Sequence, residues 1–254
     1  MGTETGDFER VAAEQAVLDA AAPLLALRSH AAATLDLAGD SAGVKVLAVG
    51  KDVNPTIMGL ARGWRELLSV KASGPAEVLR ASLPNNRVCM DRGMRMHSVF
   101  DAERLTLEEQ LLLVGENLPC YRFSFVPVQM KIVERRSVLL QGPFVDGQPS
   151  VMEVSSPRVV AAAVRYWREV IRSSTPSTGP AHLLEHFTAR QVQIMVLLRQ
   201  DLHDEDIADA LGISVRTVRS DIATIMQDLG VRSRFAAGAH LGWAPLRQAW
   251  AGGA

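Results

Sequence analysis

The sequence predicts an α/β domain with a mixed sheet, preceded by one long helix and followed by an all-α domain of four short helices. Three observations carry this. Residues 44–172 alternate strand-like and helix-like runs, the pattern of a layered α/β unit rather than of a bundle or a sandwich. Residues 187–245 lose the strand-like runs and show apolar positions at helical spacing, started by Thr, Asp or Ser and stopped by Gly or Pro. Between them the stretch SSTPSTGPA, residues 173–181, has the composition of a linker. The expected organisation is a helical arm over 1–39, an α/β domain over 40–172, a linker over 173–184 and a helical domain over 185–245.

The first element follows from residues 8–38, rich in Ala and Leu and free of Gly. Val11, Gln15, Leu18, Ala22, Leu25 and Ser29 step along one helical face, with Leu24, Leu27 and Leu35 beside it, and Pro23 predicts a kink or a split. Dimerisation and packing against its own domain are equal expectations for this arm. In the α/β region Val44–Val49 reads as a strand, Pro55–Gly63 as a helix, Leu67–Lys71 as a strand, Pro75–Ser82 as a helix and Met94–Phe100 as an alternating strand. Thr106–Val114 reads as a helix, with Thr106 and Glu109 placed for a capping box. Tyr121–Val126 alternates as a strand, and Met130–Val133 with Ser137–Gln141 reads as a hairpin around Glu134, Arg135 and Arg136. Pro157–Ile171 reads as a helix with proline in its first turn.

Composition narrows the function classes. A chain of 254 residues makes two modest domains, and 48% hydrophobic residues suffice for packed cores. With 27 basic against 28 acidic residues, any polyanion-binding surface has to be local. No run of eighteen apolar residues predicts a membrane-spanning helix, and the polar, acidic start MGTETGDFER is unlike a signal peptide. That start has Gly6 where a myristoylation signal needs Ser or Thr. Cys89 and Cys120 have no CxxC spacing and are expected to be buried, reduced thiols of a cytoplasmic protein. His182 and His186 stand four residues apart without a third ligand nearby, so no metal site is expected, and no cofactor motif is present. His97 alternates with apolar neighbours and reads as a core or rim residue.

The last quarter is the most specific. Thr188 is placed as an N-cap with Gln191 three residues on, and Val192, Met195 and Val196 follow at helical spacing, widened by Ile194, Leu197 and Leu198. Asp204 is expected to cap a second, short helix whose buried face is Ile207, Ala208 and Leu211 and which Gly212 ends. Ser214 is expected to cap a third helix carrying Val218, Ile222, Ile225, Met226 and Leu229 inward, stopped by Gly230. Ser233 is expected to cap a fourth, with Ala236, Ala237 and His240, ending before Pro245.

Through FTARQ, IADALGIS, TVRSDIATIMQDLGV, Arg232 and Arg234, this stretch resembles the helix-turn-helix domain of LuxR/FixJ-type regulators. The resemblance implies that Arg216, Thr217, Arg219 and Ser220 face double-stranded DNA and that Ser214, Arg232 and Arg234 hold phosphates; Arg190 adds to the local basic footprint. Three features depart from the pattern: Asp221 where His or Asn is usual, Asp204 and Glu205 where Asn and Lys are common, and no glycine in the turn Gln200-Asp201-Leu202.

In the α/β region, Phe125–Val133 with Glu134, Arg135, Arg136 and Val138–Leu140 resembles the phospholipase-D-like domain of TrmB-type regulators. Where that superfamily has a catalytic His, Lys and Asp, this chain has Gln129, Lys131 and Arg136. Gln is neither a nucleophile nor an acid–base catalyst, so the fold is expected without its chemistry. A cleft lined by Tyr121, Phe123, Phe125 and Lys131 is expected to take a small anionic ligand or a protein segment. Neither a phospho-receiver's acidic pair nor an acyl-homoserine-lactone pocket is legible.

The functional expectation is a cytoplasmic, homodimeric transcriptional regulator with a non-catalytic effector or docking domain and no membrane contact. The alternatives are a phosphodiesterase-like hydrolase with a DNA anchor, argued against by Gln129, and a structural protein with a decayed DNA-binding face, for which Asp221 is the sign.

Overall fold

The computed structural model describes residues 2–38, 43–73, 75–101, 103–116, 118–177 and 187–239. His182, His186, His240 and residues 178–184 of the expected linker lie outside the described residues. Two compact units form: residues 1–101 with 123–174, and residues 102–122 with 175–254.

The first unit begins with α1 (Gly2–Ala38), one continuous helix with the exposed Pro23 inside it, not a split pair. Its buried face is Val17, Ala21, Leu24, Ala31 and Leu35, which join the core under α5 (Pro157–Arg172). The stripe read from the sequence is the outward one, since Val11 and Leu18 are 56% and 42% exposed. An Ala-rich helix offers two apolar stripes, and only the neighbour decides which is covered. The arm is therefore a layer of the α/β unit along most of its length.

The strands are β1 (Val44–Val49), β2 (Glu66–Lys71), β3 (Arg95–Asp101), β4 (Tyr121–Ser124), β5 (Met130–Val133), β6 (Ser137–Gln141) and β7 (Ser150–Val154). Their order is β1-β7-β6-β5-β2-β3-β4, with the two-residue β8 (Thr175–Pro176) last. The β2–β3 pair is parallel and the β1–β7, β7–β6, β6–β5 and β5–β2 pairs are antiparallel, giving the expected mixed sheet. β7 is a strand the sequence reading missed; its five residues sit between two prolines and carry a weak alternation. The boundary between the units runs through β4. Strand alternation divides the sheet into two faces. Leu68, Val70, Val99, Met130, Ile132, Val138, Leu140, Met152 and Val154 form the core with α1 and α5. Helix α3 (Ala76–Asp91) is the crossover between the parallel strands, and α2 (Val53–Ala61) packs on it and on β1. α3 runs nine residues beyond the expected Ser82 and contains Pro84, with Leu79, Leu83 and Cys89 buried.

Tyr166 fixes the segment between β4 and β5. Its hydroxyl donates to the Val128 carbonyl at 3.0 Å and accepts from the Val128 N–H at 3.1 Å, so both backbone groups of a buried loop residue are satisfied. The Asp101 carboxylate accepts from Val126 N–H at 3.2 Å. At the β5–β6 turn Glu134 and Arg135 take φ of 50° and 54°, a conformation in which a Cβ is strained. Three contacts offset it: Glu134 N–H donates to the Glu66 carbonyl at 3.1 Å, the Glu134 carboxylate accepts from Arg65 N–H at 3.0 Å, and Arg135 pairs with Glu66 at 2.9 Å.

The second unit contains α6 (Ala189–Arg199), α7 (Asp204–Leu211), α8 (Val215–Asp228) and α9 (Arg234–Ala239), and also α4 (Leu107–Gly115), which the sequence reading had assigned to the α/β domain. Capping boxes start α4 at Thr106 and Glu109 and α6 at Thr188 and Gln191, as expected. Val192, Ile194, Met195, Val196, Leu197 and Leu198 are all buried, so α6 is apolar all round and needs partners on every side. α7, α8 and α9 cover part of it, and α4 packs against it as well, where Gln193 Nε2 donates to the Leu111 carbonyl at 2.8 Å. Gly238 lets α9 sit close on α6: a Cβ there would lie 2.8 Å from the Arg199 nitrogen.

Candidate nucleic-acid interface

The turn between α7 and α8 is built as the sequence requires. Gly212 adopts φ 64°, the left-handed stop of α7, and Ile213 N–H returns to the Ala208 carbonyl at 3.0 Å. Ser214 then caps α8, its hydroxyl accepting from Thr217 N–H at 3.1 Å and sharing a 2.8 Å hydrogen bond with the Thr217 hydroxyl. Asp201 takes φ 59°, so an aspartate fills the left-handed turn position where a glycine is usual. Asp204 is not the cap of α7. It is the first helical residue, one position after the N-cap His203, whose N–H goes to the Asp206 carboxylate at 3.3 Å. That shift frees the Asp204 carboxylate for other partners.

α8 buries Val218, Ile222 and Ile225 and leaves Arg216, Arg219, Ser220, Ala223 and Gln227 exposed. Ala223 and Gln227 extend the open face beyond the residues named from sequence; the helical repeat carried two more steps finds them. Arg216 and the exposed Arg232 pair with no carboxylate among the described residues. The other cations are engaged. Arg219 pairs with Asp204 at 3.0 Å and Glu205 at 3.4 Å. Arg234 pairs with the same Asp204 at 2.8 Å and donates to the Leu202 carbonyl at 2.7 Å. Arg190 pairs with Asp221 at 2.7 Å, and this hydrogen bond holds its guanidinium pKa up. Burial alone would raise Asp204; the hydrogen bonds and charges of Arg219 and Arg234 outweigh it and hold the carboxyl below the usual range. The unusual acids of this domain therefore have structural work: Asp204 ties α7 to α8 and α9, Glu205 adds a second contact to Arg219, and Asp221 ties α8 to α6.

The expected ligand cleft of the first unit does not close around its four residues. Phe125 packs on the α5 side of the sheet, whereas Lys131, of opposite parity to Met130 and Ile132, points to the other face and donates to Ser69 at 2.8 Å. Strand β4 ends at Ser124 rather than Val126, so the alternation that aligned Phe125 with Phe123 stops short. Tyr121 is fully buried, and Phe123 nearly so. What Lys131 does meet is Lys71, which the sequence reading missed although it ends a predicted strand. Ser69, Lys71 and Lys131 share one sheet face through the register Ser69 to Lys131, and Lys71 lies 5.7 Å over the Phe100 ring. Burial brings Lys71 down to about 8, and burial together with the Lys71 charge takes Lys131 well below its ordinary value. Two half-buried ammonium groups with no carboxylate paired to either among the described residues form a place where an anion would be welcome. Gln129 is exposed and Arg136 sits in the hairpin turn, so neither supplies acid–base chemistry beside Lys131.

Residues 185–240 match the model of the bacterial regulatory proteins of the luxR family and are a helix-turn-helix domain of that family. A bialaphos biosynthetic pathway regulatory protein of Streptomyces hygroscopicus is 32% identical over 116 residues, 45% of this chain and 45% of that protein. The chain thus spans about half the length of this curated relative. The phospholipase D family member Nuc of Salmonella typhimurium is similar over 52% of this chain and 97% of its own, with 13% identity and a TM-score of 0.38. TrmBL2, an archaeal chromatin protein, is similar over 67% of each chain, with 12% identity and a TM-score of 0.39.

Proposed function

We propose that this chain is a cytoplasmic, DNA-binding transcriptional regulator that acts as a homodimer. The observation that carries the reading is α8: a luxR-family helix, capped by Ser214 after a left-handed glycine turn, with an open face holding Arg216, Ser220 and Gln227. A helix so presented fits the major groove, with Arg216, Thr217, Arg219 and Ser220 toward the bases. Ser214, Arg232 and Arg234 would serve the phosphates, and Arg219 and Arg234 would reach the DNA by giving up Asp204. Sequencing the DNA fragments retained by the purified protein tests this. A recurrent site is expected, and Arg216→Ala should weaken binding to it by about 5- to 150-fold, the 1–3 kcal/mol of a base contact. Random fragments, or a variant that binds the selected site unchanged, would refute the reading.

The first unit is proposed as a non-catalytic effector or docking domain, with Lys131 and Lys71 as the anion-binding groups. The dimer is proposed to use the outward stripe of α1, where Val11 and Leu18 remain exposed after the inner face has been covered. Deleting residues 1–38 would strip a core layer, so the cleaner probe is Leu18→Asp, read by mass in solution. A monomer at low micromolar concentration is expected; a variant that stays dimeric excludes this stripe.

A further inference from the structure

Arg216 and Arg232 are not alone in lacking a carboxylate partner among the described residues. The outer side of α5 carries Arg158, Arg165, Arg168 and Arg172, and the β5–β6 turn adds Arg135 and Arg136. Arg135, Arg136, Arg165 and Arg168 border an open groove of about 570 Å³ floored by Pro157, Val160, Ala161 and Val164. Glu66 is paired with Arg135 and Glu169 with Arg172. Arg136, Arg158, Arg165 and Arg168 are exposed and pair with no carboxylate among the described residues. In a chain with a formal charge of −1, this is a concentrated cationic strip.

We propose that this face of α5, with the β5–β6 turn, is a second DNA-contacting surface that grips the phosphate backbone without reading sequence. It rests on the proposal that the chain binds DNA. Charge complementarity selects the occupant: planar guanidinium groups in a row match phosphate oxygens, each able to make paired hydrogen bonds. Arg158 and Arg165 are spaced two helical turns apart on one face, a rise of about 10 Å, and Arg168 stands one turn beyond. The apolar floor accommodates the methylene stems while the heads stay at the rim. The helix-turn-helix domain supplies the complementary deficit, since three of its six arginines begin paired to its own acids. A protein with few free cations in its reading head gains affinity from a second, sequence-independent hold on the same duplex.

The test uses the full chain and a labelled duplex of random sequence, with affinity followed against salt. The triple change Arg136→Ala, Arg165→Ala, Arg168→Ala should lower the slope of log K against log salt by about 2–3, since each lost phosphate contact removes roughly 0.9. Arg165→Lys with Arg168→Lys should keep most of the slope. Arg216→Ala with Arg232→Ala reports separately on the helix-turn-helix domain. If that double variant loses slope and the triple does not, the α5 surface is overturned while the DNA-binding reading stands. If only the triple loses slope, the surface stands and the assignment of the reading helix fails. A triple variant with unchanged DNA binding that no longer retains a poly-glutamate peptide would give the groove to an acidic protein partner and overturn the proposal. All variants are surface changes, and thermal melts check that they fold alike.

Discussion

The arginines of α8 and α9 and the arginines of α5 look interchangeable in the sequence, yet the structure pairs Arg219 and Arg234 of the first group with acids and, of the second, only Arg172 among the described residues. Arg219 and Arg234 share one carboxylate, Asp204, and Arg190 is held by Asp221. Arg165 and Arg168, on a helix whose nearest acid is already taken by Arg172, pair with none among the described residues. The difference teaches that a count of cations says little about a polyanion surface. What matters is which acids the fold brings beside them, because an ion pair must be broken before a phosphate can replace it.

The largest way to break this contrast is Asp204→Asn. It takes from Arg234 its carboxylate and leaves Arg219 with Glu205 alone, so affinity for a duplex at low salt should rise on the order of tenfold and the salt slope should steepen by about 1–2. Fluorescence anisotropy across a salt series reads both; an unchanged slope would mean that Arg234 does not reach a phosphate. Asp221→Asn releases only Arg190 and should steepen the slope by about 1 at most.

The lysine pair of the sheet sharpens the comparison from the other side, since there burial rather than pairing governs the charge. With Lys71 brought down to about 8 from 10.5, the unfolded chain binds a proton that the folded chain has released between those pH values. Stability should therefore rise as pH rises through that window, and the burial penalty is fully felt below it. Lys71→Met should flatten the rise, as followed by urea midpoints across the range; a rise that persists in the variant assigns it elsewhere. The smallest expected effect is none: the purified protein should not turn over a chromogenic phosphodiester, because Gln129 is exposed and has no imidazole to attack with. Turnover that vanishes in Lys131→Ala would restore the hydrolase reading.

Local signals recovered most elements. The capping boxes at Thr106 and Thr188, the Gly212 stop and the Ser214 cap were legible because each is a contact within four residues. The hairpin around Glu134 was legible for the same reason, although neither Glu nor Arg advertises the left-handed turn they adopt. The inner face of α1 was misread because Val11–Leu18–Leu25 and Val17–Leu24–Ala31 are equally regular repeats. Helix α4 was placed in the wrong unit although a signal existed: six apolar residues wrap all round α6, more than three short helices can cover.

By itself, the sequence determined the mixed α/β unit and the four helices of the luxR-family domain, since periodicity and caps are properties of neighbours along the chain. Only the tertiary structure decided which stripe of α1 is buried, that α4 packs on α6, that Lys71 stands beside Lys131, and which arginines are neutralised. Each of these depends on groups far apart in the chain. Their desolvation and charge pairing act through space, and no spacing in the sequence encodes them.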